Sequence, residues 1–203
     1  MEEDKIIGFW QWFVKNVSVI QSCIVNEDSR QREKVVEQLN DQILCLGVFS
    51  WDLGLDEEDN WFLLISPNGN SEMHALSRAI MEQAPEHLDW LFYAGKPAKD
   101  WNRQFTVYDD FMEEQLIDAS AWCCLVYLED DGSVELVIEA RNMAHLDAET
   151  LETAAEQFVV RELGEELRIV LVSSIVVVEK IDGEDEIDKI FVGDLRGYLD
   201  AIF

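Results

Sequence analysis

Ile6, Phe9, Trp10, Phe13, Val17 and Ile20 recur at intervals of three and four, which lays a single apolar stripe along a helix. With Phe9, Trp10 and Phe13 clustered in that stripe, the segment is expected to dock on a core. Asp28 with Gln31 three positions later reads as a capping-box start, and Val35, Val36, Leu39 and Ile43 continue a second helical stripe to about Leu44. From Cys45 the period shortens. Leu46 to Trp51 and Trp61 to Ile65 are short β-prone runs on either side of the acidic turn Asp56 to Asn60, a pattern that predicts a hairpin.

Ser66-Pro67-Asn68-Gly69-Asn70 is dense in turn-forming residues. Met73, Leu76, Ile80 and Met81 then mark a short helix that ends before Pro85, and Trp90 to Ala94 reads as a strand. The same order returns further on. Trp122 to Leu128 and Val134 to Ile138 flank a turn at Glu129 to Gly132, and Asp147 caps a helix carrying Leu151, Ala154, Ala155, Phe158 and Val159. Gly164 is placed to end that helix, and a strand-rich stretch follows, centred on Ile175 to Glu179. Phe105 to Tyr108 and Gln115 to Ile117 are strands between the two series, and Leu195, Tyr198, Leu199 and Ile202 after Asp194 form a closing helix. The expected fold class is α+β: two N-terminal helices, two β-β-α-β units near 45–94 and 121–180 forming mainly antiparallel sheet with helices packed on it, and a short C-terminal helix. With no linker rich in Pro, Gly or Ser, residues 1–203 are expected to form a single domain containing this pseudo-repeat.

Charge narrows the range of partners. Forty-three Asp and Glu against 15 Lys and Arg give a formal net charge of −28, yet 48% of the residues are hydrophobic and 7 are Trp, so the charge is carried on the surface of a folded chain. Nucleic acid and anionic membranes repel such a surface, whereas a basic protein partner is drawn to it. Met1-Glu2-Glu3-Asp4 has the wrong sign for a signal or transit peptide. Ile169 to Val178 and Trp122 to Leu128 fall short of the roughly 18 to 20 residues of a membrane span. Cys23, Cys45, Cys123 and Cys124 contain no C-x-x-C spacing and read as free thiols. The expectation is a soluble cytoplasmic protein.

The opening Phe9-Trp10-Gln11-Trp12-Phe13, the run Trp90-Leu91-Phe92-Tyr93-Ala94-Gly95-Lys96-Pro97 and Gly164-Glu165 after a long helix together resemble a family of uncharacterised bacterial proteins that begin with an F-W-x-W-F helix. The resemblance spans most of the chain and implies a bacterial origin. It carries no established activity and no catalytic residue.

Motifs that would carry chemistry are absent from the sequence: it has no G-x-S-x-G, H-E-x-x-H, G-x-x-x-x-G-K-[ST] or G-x-G-x-x-G. His74, His87 and His145 are scattered, and spacing alone does not exclude a triad assembled by the fold. Acid clusters at Asp56 to Asp59, Asp109-Asp110, Glu113-Glu114, Glu129 to Asp131 and Asp182 to Asp188 fall mostly in turns, as a solvated face does. No catalytic residue, cofactor or metal set is assigned.

One segment departs from the charge balance. Lys96, Lys99 and Arg103 gather around Trp101, after Trp90 and Tyr93, and basic groups beside aromatics can hold an anionic or planar ligand or a partner. The same residues could instead pin a long connection to the core. Two functional classes follow. The first is a non-enzymatic, immunity- or inhibitor-like module that covers a basic protein. The alternative is a small-molecule-binding domain or small hydrolase with its site near residues 90–114, to which Asp109 or Glu113 would lend polar groups. A homo-oligomeric scaffold is a third possibility.

Overall fold

The computed structural model describes residues 2–25, 29–141, 143–181 and 188–203. The expected cap at Asp28 and most of the Asp182 to Asp188 cluster lie outside the described residues. The chain divides into two compact units, 1–95 and 96–203, where the sequence reading took it as one domain.

The first unit opens with α1 (Glu2–Val25) and α2 (Ser29–Leu46). Ile6, Phe9, Trp10, Phe13 and Ile20 of the α1 stripe are buried, and α2 contributes Leu39 and Ile43. Val36, expected on the α2 stripe, is instead exposed. The hairpin is β1 (Ser50–Leu55) and β2 (Trp61–Ser66), antiparallel, with Leu55 opposite Trp61. The first strand therefore starts later than the β-prone run at Leu46 to Trp51. Leu46 remains the last helical residue, and pairing up to the turn at 56–60 draws the strand on to Leu55.

Asn70 caps α3 (Ser71–Met81) by accepting the Met73 N–H at 3.0 Å. The chain then returns as β3 (Trp90–Tyr93), parallel to β2, so the sheet order is β1-β2-β3. The core of this unit is aromatic. The Phe13 ring lies edge-on to Trp90 at 5.2 Å, Trp10 edge-on to Phe92 at 5.0 Å, and Trp61 stacks on Trp90 at 5.4 Å. The buried Trp10 indole N–H donates to the Ile80 carbonyl at 2.8 Å, which fixes α1 against the end of α3.

The second unit begins with a two-stranded sheet of β4 (Gln104–Tyr108) and β5 (Glu114–Asp118). A second hairpin follows, β6 (Cys123–Leu128) and β7 (Val134–Glu139), then α4 (Ala148–Leu163), capped by Asp147 through the Thr150 N–H at 2.9 Å. The sequence expected strand-rich chain after Gly164. A short helix, α5 (Glu165–Leu171), stands there first, and β8 (Val172–Val178) then runs parallel to β7. The apolar run Ile169 to Val178 is thus split between helix and strand. The Arg168 guanidinium secures the junction by donating to the Val172 carbonyl at 2.8 Å and pairing with Glu156. A short strand, β9 (Ile190–Phe191), pairs with β6, a 3-10 turn covers Val192–Asp194, and α6 (Leu195–Ile202) closes the chain. The sheet order is β8-β7-β6-β9.

The class is α+β, with the two β-β-α-β units that the sequence order implied. In each unit an antiparallel hairpin is followed by a helical crossover that brings the next strand parallel to the second strand of the hairpin. The hairpin registers correspond, with Ser50 opposite Ser66 as Cys123 is opposite Glu139. The parallel ladders differ: β2–β3 runs in step from Trp61 opposite Trp90, whereas β7–β8 shifts by one residue after Val134 opposite Val172, so that Glu135 faces Ser174. Among the described residues, β1, β2 and β3 pair in one sheet and β6, β7, β8 and β9 in another.

Candidate functional site

Of the six residues singled out from the sequence, Trp90 and Tyr93 belong to the first unit, and Lys96, Lys99, Trp101 and Arg103 to the second. Trp90 is buried in the aromatic core, between Phe13 and Trp61, and half-buried Tyr93 lies 6.4 Å from the Phe62 ring.

In the second unit the connection 96–103 runs along the C-terminal end of α4. The Lys96 N–H donates to a Glu165 carboxylate oxygen at 2.9 Å, and the Glu165 N–H returns a bond to the Lys96 carbonyl at 2.8 Å. The Lys99 N–H donates to the Arg161 carbonyl at 2.8 Å, supplying one of the partners that a helix C-terminus leaves missing. Gly164 makes this approach possible. Its φ is 86° and its ψ 155°, and a Cβ there would stand 3.1 Å from the Ala98 nitrogen. The Lys96 and Lys99 side chains are exposed.

Glu162, 7% exposed, gathers the rest of the segment. It accepts from the Trp101 indole N–H at 3.2 Å and from the Arg103 guanidinium at 2.8 Å. Arg161 lies over Trp101 at 5.3 Å and over Phe105 at 4.8 Å, while Trp101 packs on Phe158. Arg103 adopts a left-handed backbone, φ 61°, and its guanidinium lies 6.0 Å from the Phe191 ring. The arrangement holds the connection on α4 by charge and stacking, with Trp101 and Arg103 committed to Glu162. Lys96 and Lys99 are the members of the set whose charges reach solvent.

Glu162 and Glu165 are the buried acids on which this segment rests; the sequence did not mark Glu162, and marked Glu165 only beside Gly164 in the family resemblance, with no role. Nor did it single out Glu139, another buried carboxylate, which accepts from the Ile181 N–H at 2.6 Å, Lys189 at 2.8 Å and Arg141 at 2.8 Å. Burial by itself would raise the Glu139 pKa, but these donors outweigh it and bring the carboxyl down to about 2. Two of the three flank Gly164, and a pair of acids around a helix-ending glycine is the signal the sequence offered.

Acidic residues also build the turns. The three hairpin turns at 56–60, 109–113 and 129–133 share one backbone arrangement. In each, the first N–H donates to the fifth carbonyl, at 2.9, 3.1 and 2.9 Å, and the fourth N–H donates to the first carbonyl, at 3.2, 2.9 and 3.0 Å. The fourth residue is left-handed: Asp59 at φ 63°, Met112 at 61° and Gly132 at 86°. The Asp56 carboxyl is held below its ordinary pKa by the Asn60 N–H, and the Asp109 carboxyl by the Glu113 N–H. These carboxylates are turn formers as well as surface charges.

Surface grooves among the described residues include three outside residues 90–114. One of about 430 Å³ is lined by Glu152, Glu156, Arg168 and Ile175. One of about 400 Å³ is apolar, beside Ile7, Trp10 and Pro85, and one of about 490 Å³ runs between Glu129 to Asp131 and Ser173-Ser174. His74 is buried, and His87 and His145 are exposed. Among the described residues, no group of three or more His, Cys, Asp and Glu is placed to hold a metal ion. Burial pushes the Cys124 thiol up to about 12, whereas its neighbour Cys123 is half-buried and Cys45 exposed. Among the described residues no helix is long and apolar enough to cross a membrane.

No family model, no curated protein and no solved structure matches the chain.

Proposed function

We propose that this protein is a non-enzymatic binding module of the immunity or inhibitor kind, which covers a basic surface on another protein. One observation carries the reading: a net charge of −28 on a chain with two well-packed cores. A field of that sign accelerates encounter with a cationic partner and suppresses association with nucleic acid and anionic lipid. The turns support the reading, because one acid in each, Asp56, Asp109 and Asp131, is held below the ordinary carboxylate pKa by hydrogen bonds from its own turn. The cytoplasm is the proposed compartment, and free thiols at exposed Cys45 and half-buried Cys123 fit a reducing environment.

Affinity capture from the source cells at low and at high ionic strength tests the reading. The expected result is a basic protein, of pI above about 9, retained at low salt and released at high salt. Retention of no partner, or of one indifferent to salt, would falsify it.

A further inference from the structure

The three hairpin turns are built alike but carry different side chains. Turn 56–60 reads Asp-Glu-Glu-Asp-Asn and turn 129–133 reads Glu-Asp-Asp-Gly-Ser, while turn 109–113 reads Asp-Asp-Phe-Met-Glu. The backbone does not call for Phe111 or Met112, since Glu58 or Asp131 and Asp59 or Gly132 occupy the matching positions in the other two turns. Met112 is the costlier choice, because a left-handed backbone suits Gly, Asn or Asp and not a long apolar side chain. Both side chains are spent on solvent: Phe111 is 86% exposed and Met112 76%, with Leu116 at 71% behind them on β5. Exposed Tyr108 stands alongside, its hydroxyl donating to Glu114 at 2.9 Å.

The tip is also held in one shape. One Asp109 oxygen accepts the Phe111 and Glu113 N–H groups, each at 2.9 Å, and the other accepts from the Gln115 amide at 2.8 Å. A rigid tip loses little entropy on binding, and aromatic and Met side chains are the residues that interfaces use as anchors. Around the anchors stand Asp109, Asp110, Glu113 and Glu114.

We propose that the β4–β5 tip is the docking knob of this module, with Phe111 and Met112 entering an apolar depression rimmed by Lys and Arg on a basic protein. The inference rests on the reading of the chain as a binder of basic proteins and names the part that makes contact. Charge selects the occupant. A second copy brings another −28 to the same place, and an anionic membrane repels the four flanking acids.

The test uses two synthetic helices of equal positive charge, one of Leu and Lys and one of Ser and Lys. They are titrated at low salt into the full chain and into the F111S/M112G variant. That variant leaves the net charge untouched, and Gly132 shows that this turn accepts glycine at the left-handed position. The Leu/Lys helix should bind the native chain about tenfold or more tighter than the Ser/Lys helix, with amide shifts centred on 108–116. In the variant, with its circular dichroism spectrum unchanged, the two helices should bind equally. If native and variant chains bind both helices alike, the knob is refuted while the electrostatic reading stands. If neither helix binds, both fail. Self-association that the variant loses would assign the tip to a second copy of the chain, and Phe111-dependent binding to phosphatidylcholine vesicles would assign it to lipid; either result overturns the proposal.

Discussion

The β-β-α-β modules of the two units have the same strand order and matching hairpin registers, but they are filled with different chemistry. Among the described residues, the buried polar side chains of the first unit are Ser66, His74 and Ser77, and its core is a run of rings from Phe9 to Trp90. The second unit buries Glu139, Thr150, Glu162 and Glu165 beside a smaller aromatic group around Trp122 and Phe158. Topology therefore does not dictate how the module is held. In the first unit the cover is helical, and α1 and α2 can supply rings. In the second, much of the chain that packs on the module is loop, 96–103 and the chain at Ile181 and Lys189, and loop backbone needs hydrogen-bond partners that apolar residues cannot give. Buried carboxylates answer that need.

Substitutions can break or sharpen this contrast. The largest loss should come from the rings common to both designs: Phe13→Ala and Phe158→Ala should each cost about 3 to 5 kcal/mol, read by amide exchange in β2 and in β7. A loss under about 1 kcal/mol at Phe13 would refute an aromatic basis for the first core. Glu139→Ala should cost about 3 kcal/mol, because the Ile181 N–H, Lys189 and Arg141 would together lose the buried carboxylate they share.

Acid should act in the same direction. The Glu139 pKa is depressed from 4.5 to about 2 in the folded chain, so its stabilisation is complete above the unfolded value and is lost as pH falls from about 4.5 to about 2. Protection of β7 amides should decline through that window, and less steeply in Glu139→Gln. An equal decline in the variant would show that other carboxylates carry the effect. Gly164→Ala should cost roughly 1 to 3 kcal/mol, from its backbone region and from the nearby Ala98 nitrogen, with the loss felt at the 96–99 amides. Asp147→Ala should cost about 1 kcal/mol as a lost helix cap, visible as fraying of the first turn of α4. The smallest effect carries the opposite sign: Met112→Gly should raise stability by about 0.5 kcal/mol in thermal unfolding, since relief of the left-handed strain exceeds the added chain entropy.

Much of the fold was legible because it is written in local patterns. The stripe from Ile6 to Ile20, the cap at Asp147, the acidic turns and the stop at Gly164 each act within a few residues, and all appear where the sequence pattern places them. Errors arose where a local signal was shared between two elements. Leu46 suits a strand but closes α2, and Ile169 to Leu171 continue an apolar run yet belong to α5, held by the Arg168 contacts to Glu156 and Val172.

The candidate segment shows the same division. Sequence placed Lys96, Lys99, Trp101 and Arg103 together and marked them as unusual, but it could not say what faces them. Their partners Glu162 and Glu165 lie about sixty residues further along, among forty-three acids that look alike in sequence.

The amino-acid sequence by itself determined the charge, the main helices and hairpins and their repeated order, since composition and short-range periodicity need no tertiary context. Only the tertiary structure decided which carboxylates are buried and which cations they hold, and that Phe111 and Met112 face solvent on a turn whose backbone does not need them. Burial is a property of chain segments brought together from a distance, and it separates a solvated acid from one that holds a loop in place.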